Sequence, residues 1–136
     1  MKKLLSIGYT ETSFDIGTFL LRATLGLLLF FNHGFAKLTH FSELSHSFID
    51  PFHIGHRWSL ILSLFAEVFA SMVLVLGVFS RIAALILVIN MSVAVFLANK
   101  GLPLRQSEEA ILFLAGFLMI LLAGPGKYSA DGMSGR

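Results

Sequence analysis

The sequence contains no cysteine, and only 13% of its 136 residues are charged. Without cysteine there can be no thiol–disulfide relay, iron–sulfur cluster or thiolate metal site. Charged residues make up about 25% of a typical soluble domain, and a small globule has the most surface to cover relative to its volume. The chain is therefore not a soluble globule. Its net charge of +2 and its lack of a basic stripe with interleaved aromatic residues also exclude nucleic acid as a partner.

Hydrophobic residues, by contrast, make up 56% of the chain, and the mean hydropathy is +0.83. A helix needs about 20 residues to cross the hydrocarbon of a bilayer. Four such helices would use roughly 80 residues and leave short loops and two tails. The composition therefore predicts a lipid bilayer as the first partner of this chain and an all-α fold of four spans.

The apolar runs divide the chain into an N-terminal interfacial tail at 1–15, a four-span membrane domain at 16–123 and a C-terminal tail at 124–136. The spans are predicted at about 16–38, 58–79, 81–98 and 108–123. Asp15 and Ser107 are predicted to be the N-caps of the first and fourth spans. Two of the three connections are short, which favours antiparallel neighbours and predicts an up-down four-helix bundle integral to the membrane.

Four spans place both termini on the same side of the membrane. Lys2 and Lys3 precede the first span. Since positive charge before the first span favours the cytoplasm, cytoplasmic termini are predicted.

Polar residues interrupt the first span along one face. At about 100° per residue, Arg22 and His33 lie about 20° apart around the helix, with Gly26 and Lys37 within about 60° of Arg22. Gly26 would let a neighbouring helix approach closely at this seam.

A candidate polar site follows from helix depth. Glu67 and Asn90 are predicted to lie near the middle of the bilayer, and Arg22 to reach inward to the carboxylate. Arg81 could join Arg22 or compete with it for Glu67.

A second polar cluster is predicted at the opposite end, where His33, Lys37, Glu108 and Glu109 fall in terminal turns of their spans. Histidine between a lysine and two carboxylates is suited to carrying protons. The competing interpretation is that both clusters are ion pairs that fix helix register and bind nothing.

The other histidines lie in the polar connection between the first two spans. His53 and His56 are three positions apart, but Pro51 and Gly55 argue against a regular helix that would align them. We therefore expect solvated loop histidines, no metal site, and neither haem nor an iron–sulfur cofactor.

Several motifs follow one another along the chain: R-x-x-x-G at 22–26, H-G-x-x-K-L at 33–38, Glu67 in the second span, G-x-x-S-R-x-A-A at 77–84, Glu108 at the start of the fourth span, and G-P-G-K-x-S-x-D at 124–131. In this order they resemble the DoxX family of small bacterial membrane proteins. Glu108 and Glu109 both stand near the family's carboxylate, and the run that follows favours Glu108.

The resemblance implies a multi-pass protein of the bacterial inner membrane, similar to the small subunit of a thiosulfate:quinone oxidoreductase. It implies a catalytic partner subunit and a quinone as the cofactor to consider. The sequence leaves open whether the chain is itself an enzyme; as one it would be an oxidoreductase subunit that acts with a partner.

Three functions remain open at this point. The first is a small subunit or accessory of a membrane redox system, with a buried Arg/Glu site. The second is transport or permeation of a proton or small solute along the polar seam. The third is a structural or assembly partner without chemistry of its own. A homo-oligomer is expected because the bundle is small.

Overall fold

Four apolar segments of the sequence form four long helices. The computed structural model describes residues 2–135, and within them it contains helices and no strand. The long helices are α1 (Glu11–Thr39), α3 (His56–Leu76), α4 (Ser80–Ala98) and α5 (Leu104–Ala123). Two short helices, α2 (Phe41–Leu44) and α6 (Ala130–Met133), lie in the first connection and the C-terminal segment. Each long helix is long and apolar enough to span a membrane, so the all-α membrane fold is confirmed.

Both predicted N-caps were wrong. α1 begins at Glu11, where the Thr10 hydroxyl accepts a hydrogen bond from the Ser13 amide at 3.1 Å. α5 begins at Leu104, directly after Pro103, whose fixed φ suits a helix start. Apolarity marks where hydrocarbon begins, whereas a helix begins where its first amides find an acceptor.

The turn between α3 and α4 is very short. Gly77 ends α3 in the left-handed region, with φ 76°, and its amide lies 3.0 Å from the Val73 and Leu74 carbonyl oxygens. Glycine adopts this conformation without the steric cost that a side chain would add. The second span therefore ends at Leu76, earlier than predicted.

Three of the long helices contain a π-helical turn, at Phe30–Gly34 in α1, Phe65–Ala70 in α3 and Ala94–Ala98 in α4. Such turns are often found at functional sites. The turns of α1 and α3 touch, since a Cβ built on Gly34 would lie 2.8 Å from the Glu67 carbonyl oxygen.

The close approach of a neighbouring helix predicted at Gly26 is confirmed, and the neighbour is α3. A Cβ there would collide with the Val75 side chain and lie 3.1 Å from the Ser71 carbonyl oxygen.

The buried core is apolar and is contributed by all four long helices. Its members are Leu29, Ala66, Ala70, Leu74, Ala83, Ala84, Leu87, Met91, Phe113, Phe117 and Ile120. In α3 and α4 most of these residues lie between the level of Glu67 and Asn90 and the turn that joins the two helices. Large apolar side chains also cover the outer faces, among them Phe69, Phe96 and Leu112, each more than half exposed. Such a surface requires a lipid bilayer around it.

Candidate functional site

A buried carboxylate, Glu67, is the centre of a polar cluster between three long helices. Lys37 of α1 donates to both of its oxygens at 2.7 Å, and the Asn90 amide of α4 donates to Oε1 at 3.2 Å. The Ser63 hydroxyl, one turn before Glu67 on α3, donates to Oε1 at 3.3 Å and accepts from Lys37 at 3.0 Å. We call Lys37, Ser63, Glu67 and Asn90 the Glu67 cluster.

Little water reaches the charges of this cluster. The Glu67 side chain is 5% exposed and that of Lys37 is 22% exposed. A charge buried in this way is costly unless it is paired and hydrogen-bonded. Here Lys37 has three acceptor atoms and Glu67 has three donating neighbours, so the pair satisfies itself.

The cluster forms the polar wall of an otherwise apolar pocket of about 470 Å³. The other walls come from α3, α4 and the connection after α2, and include Phe48, Phe52, Leu62, Phe65, Ile89 and Val93. An apolar cavity with a few convergent polar groups is the usual form of a small-molecule site.

The connection that covers the pocket is held by Asp50. Its carboxylate accepts from the Gly55 amide at 2.8 Å, from the Ser59 hydroxyl at 2.9 Å and from the Ile54 amide at 2.9 Å. Desolvation acts to raise the pKa of Asp50, but these three donors and the charge of His56 outweigh it and hold that pKa below its ordinary value.

Two further contacts bring this connection against the helices. His56 Nδ1 lies 2.5 Å from the Phe48 carbonyl oxygen, so a helix residue binds the connection's backbone. The Lys37 ammonium lies 5.4 Å from the centre of the Phe48 ring, within the range of a cation–π contact. The connection is therefore ordered by the same lysine that binds Glu67.

His33 and Glu109 form a separate pair. His33 Nε2 lies 2.7 Å from Glu109 Oε1, and the imidazole meets the Phe113 ring edge-to-face at 5.9 Å. Their side chains are 33% and 63% exposed. Glu108 is exposed and makes no side-chain hydrogen bond or ion pair within residues 2–135. Of the predicted second cluster, therefore, His33 and Glu109 come together, whereas Lys37 belongs to the Glu67 cluster.

Arg22 is buried at the other end of the molecule, and its predicted contact with Glu67 is not formed. Its guanidinium donates to the carbonyl oxygens of Leu74 at 3.2 Å, Val75 at 2.9 Å and Tyr128 at 2.6 Å. Glu67 precedes Leu74 by seven residues, or about 10 Å along the helix. A guanidinium held at the end of α3 cannot reach that far. Asn90 does meet Glu67, as predicted.

The C-terminal segment joins the helix ends around Arg22. Asp131 accepts from the amides of Phe79 at 2.9 Å and Ser80 at 2.7 Å, and so serves the first amides of α4. Asp15 accepts from the Lys127 amide at 2.9 Å. The sequence predicted Asp15 only as a helix N-cap, and its only signal for Asp131 was the G-P-G-K-x-S-x-D motif. We call these contacts, with those of Arg22, the terminal junction.

Arg81 is exposed, beside the terminal junction and away from the Glu67 cluster. A Cβ built on Gly124 would lie 3.4 Å from its Nη2 atom. The four residues of the predicted candidate polar site thus occupy three places, with Glu67 and Asn90 together, Arg22 in the junction and Arg81 at the surface. Within residues 2–135 no group of three or more His, Asp or Glu side chains could hold a metal ion.

Comparison with known proteins gives one match. The model of the DoxX family matches residues 17–100. No curated protein and no solved structure matches the chain. The matched segment contains Arg22 and the whole Glu67 cluster but ends before α5 and the C-terminal segment.

Proposed function

The chain belongs to the DoxX family, and from this membership we propose that it is a small subunit of a membrane redox system that binds a lipid-soluble quinone in the pocket beside the Glu67 cluster. The observation that carries the proposal is the combination of an apolar cavity of about 470 Å³ with a buried, internally paired Lys37–Glu67 ion pair in its wall.

The residues of the pocket fit a quinone headgroup and the start of its tail. The volume lies within the range of about 300–1,000 Å³ that small-molecule sites occupy. Quinone carbonyl oxygens accept hydrogen bonds, and the Asn90 amide, which donates one of its two N–H groups to Glu67, has a second donor for such an oxygen at the polar wall. A bound quinone supplies two-electron redox chemistry, whereas this chain would bind it, orient it and exclude water from it.

The source of electrons points to a partner. Since the chain has no cysteine, it cannot hold an iron–sulfur cluster of its own. We propose that a catalytic partner subunit delivers electrons and that this chain supplies the membrane anchor and the quinone site. Self-association of the chain stays a prediction.

Binding can be tested with the chain's single tryptophan. Trp58 precedes Ser59, which lines the pocket, so a bound quinone should quench its fluorescence. We expect saturable quenching of the purified protein by a short-chain ubiquinone. Ala94→Phe, which places a ring in the pocket, should abolish the saturable part. Ala36→Phe, on an exposed face of α1, is the matched control and should leave it unchanged.

Two results would contradict the quinone proposal. One is quenching that does not saturate, or that Ala94→Phe leaves intact. The other is absence of binding together with flux of protons or a small solute in liposomes, which would favour permeation. The apolar core between the Glu67 cluster and Arg22 weighs against a continuous polar path along the seam.

We further propose that the four long helices are antiparallel neighbours in the bacterial inner membrane, with both termini in the cytoplasm. The contacts of Arg22 and Asp15 with Tyr128 and Lys127 support termini on the same side, and Lys2 and Lys3 favour the cytoplasm. A fluorescent-protein fusion at either terminus should be bright and a periplasmic phosphatase fusion inactive. The reverse pattern at either end would contradict this orientation.

A further inference from the structure

A second cavity lies at the opposite end from the Glu67 cluster. It is an open cleft of about 670 Å³ between the N-terminal parts of α1 and α4 and the segment that follows α5. It is lined by Phe14, Asp15, Phe79–Ile82, Ala123–Lys127, Asp131 and Gly132. Because α4 begins and α5 ends here, the cleft lies where the spans leave the hydrocarbon, at the level of lipid headgroups.

Arg81 is a cation in the wall of this cleft. It is exposed, and it makes no hydrogen bond or ion pair with another residue between 2 and 135. Its guanidinium lies against Gly124, where a Cβ would be 3.4 Å from Nη2 and 3.7 Å from Nε. Lys127 also lines the cleft, but its ammonium already lies 3.3 Å from Glu11, in a pair that is largely exposed.

The two carboxylates of the cleft are already used by the fold. Asp15 accepts the amide of Lys127, and both oxygens of Asp131 accept amides at the start of α4. The charge of Asp131 also acts on the buried guanidinium of Arg22. Both carboxylates are therefore hydrogen-bonded by backbone amides of the terminal junction, whereas the guanidinium of Arg81 has no acceptor among residues 2–135.

A second group in the cleft wall also lacks a partner. The Ser80 hydroxyl is fully buried and has no hydrogen-bond partner among the described residues, yet Ser80 lines the cleft. Buried hydroxyls are almost always hydrogen-bonded, so this wall of the cleft is incompletely satisfied. A ligand with several acceptor oxygens would give the guanidinium of Arg81 the partner that it lacks.

We infer that this cleft binds the phosphate of an anionic phospholipid, with Arg81 as the cation that contacts the phosphate oxygens. Guanidinium groups bind phosphate oxygens through their planar fork of donors. The apolar side chains of Phe14, Phe79 and Ile82 in the walls suit the glycerol and upper acyl chains of a lipid. A free phosphate offers the same oxygens but would leave these walls unused. This site is independent of the proposed quinone pocket.

Native mass spectrometry of the purified full-length protein can count retained lipid. We expect phosphatidylglycerol to be retained in preference to phosphatidylcholine. Arg81→Gln should weaken that retention about fivefold, the effect of one surface cation on an anionic lipid. Arg105→Gln is the matched control, since Arg105 is also exposed but lies at the start of α5, away from the cleft. It should retain phosphatidylglycerol as the wild type does.

Three outcomes would overturn the inference. The first is equal retention of the two lipids by the wild-type protein. The second is an Arg81→Gln variant that binds as the wild type does, or an Arg105→Gln variant that loses as much. The third is complete displacement of phosphatidylglycerol by an equal concentration of inorganic phosphate, which would identify the ligand as free phosphate. Because Arg81 is exposed, its variant should keep the wild-type unfolding temperature, and this measurement separates lost binding from lost folding.

Discussion

Two hydrogen-bonded side-chain pairs of this chain differ in how much water reaches them. The Lys37–Glu67 pair is largely buried, whereas Glu109 of the His33–Glu109 pair is 63% exposed. Removing one member of a buried pair leaves an uncompensated charge, but an exposed pair is screened by water. The two pairs therefore provide a matched comparison within one protein.

Glu67→Gln should lower the free energy of unfolding by about 3–5 kcal/mol, because it leaves Lys37 charged beside a neutral amide. Glu109→Gln should cost less than about 1 kcal/mol. The measurement is denaturant unfolding of each variant in detergent, followed by circular dichroism. Adding Lys37→Met to Glu67→Gln should recover part of the loss; if the double variant is less stable than Glu67→Gln, burial of the lysine charge is not the cause.

Gly34 provides a second test at the residue scale. A Cβ at this position would lie 2.8 Å from the Glu67 carbonyl oxygen and 3.0 Å from its carbonyl carbon. Backbone atoms inside a helix cannot move aside as a flexible side chain can. We expect Gly34→Ala to lower the free energy of unfolding by about 1–3 kcal/mol and to weaken quinone quenching of Trp58.

Gly17→Ala is the control for Gly34→Ala. Gly17 also lies in α1, but nothing stands within 4 Å of the Cβ that it would gain. Since alanine is the better helix former, this variant should be as stable as the wild type or slightly more stable. Equal effects of the two substitutions would show that the close approach of α1 and α3 has no special weight.

The sequence identified Arg22 and Glu67 as inward-facing but not which residues they meet, and it also placed in the polar clusters the exposed Arg81 and Glu108. Helical periodicity placed Arg22 and Lys37 on one face of α1, and either could have paired with Glu67. The choice depends on the vertical offset between α1 and α3. That offset is set by Gly26 and Gly34, where backbone and side-chain contacts fix the level of the two helices, and periodicity does not contain it.

At the scale of elements, one carboxylate accepts three of the hydrogen bonds that hold the connection between α2 and α3. Asp50 holds this connection over the pocket through hydrogen bonds to Gly55, Ser59 and Ile54. Its pKa is lower in the folded protein than its ordinary value, so the folded state favours the ionised form. The stabilisation is present above the ordinary value of about 3.9 and is lost as the pH falls through the lower folded pKa.

We expect Asp50→Asn to be less stable than the wild type above about pH 5, where the wild-type carboxylate is ionised. Below about pH 4 the difference should shrink as the wild-type carboxylate gains its proton. Ser59→Ala, which removes one of the donors, should show the same trend with a smaller amplitude. Unfolding temperatures across this pH range test it, and a difference that stays constant to the lowest pH would contradict it.

Helix existence was predictable from the sequence, whereas helix ends were not. Apolar runs of about 20 residues identified all four long helices, because hydrocarbon thickness fixes their length. The ends depend on local groups such as the hydroxyl of Thr10 and the left-handed Gly77. The π-helical turns that carry His33 and Glu67 left no periodic signal, since they depend on the packing of α1 against α3.

At the scale of the whole molecule, the polar side chains of the Glu67 cluster and of the terminal junction bind different kinds of partner. The Glu67 cluster adjoins a pocket, and most of its polar atoms pair with one another. The junction binds mostly backbone: Arg22 serves the last carbonyl oxygens of α3, and Asp131 the first amides of α4. Helices that are joined by a short turn leave their last carbonyl oxygens and first amides without partners inside the helix. The C-terminal segment supplies hydrogen-bond partners that the short turn between α3 and α4 does not provide.

This difference predicts that deletion of the C-terminal segment lowers the free energy of unfolding much more than deletion of the N-terminal tail. Deletion from Lys127 onward removes the Tyr128 carbonyl oxygen from Arg22 and the Asp131 carboxylate from α4. Because hydrogen bonds to charged groups contribute about 1.5–3 kcal/mol each, we expect a loss of about 3 kcal/mol or more in the free energy of unfolding. Deletion of residues 2–9, which are exposed throughout, should cost almost nothing. Denaturant unfolding in detergent compares the two truncations directly. If the C-terminal truncation were as stable as the N-terminal one, the ends of α3 and α4 would have to be satisfied by lipid headgroups and water instead, and Arg22 would then be held by α3 alone.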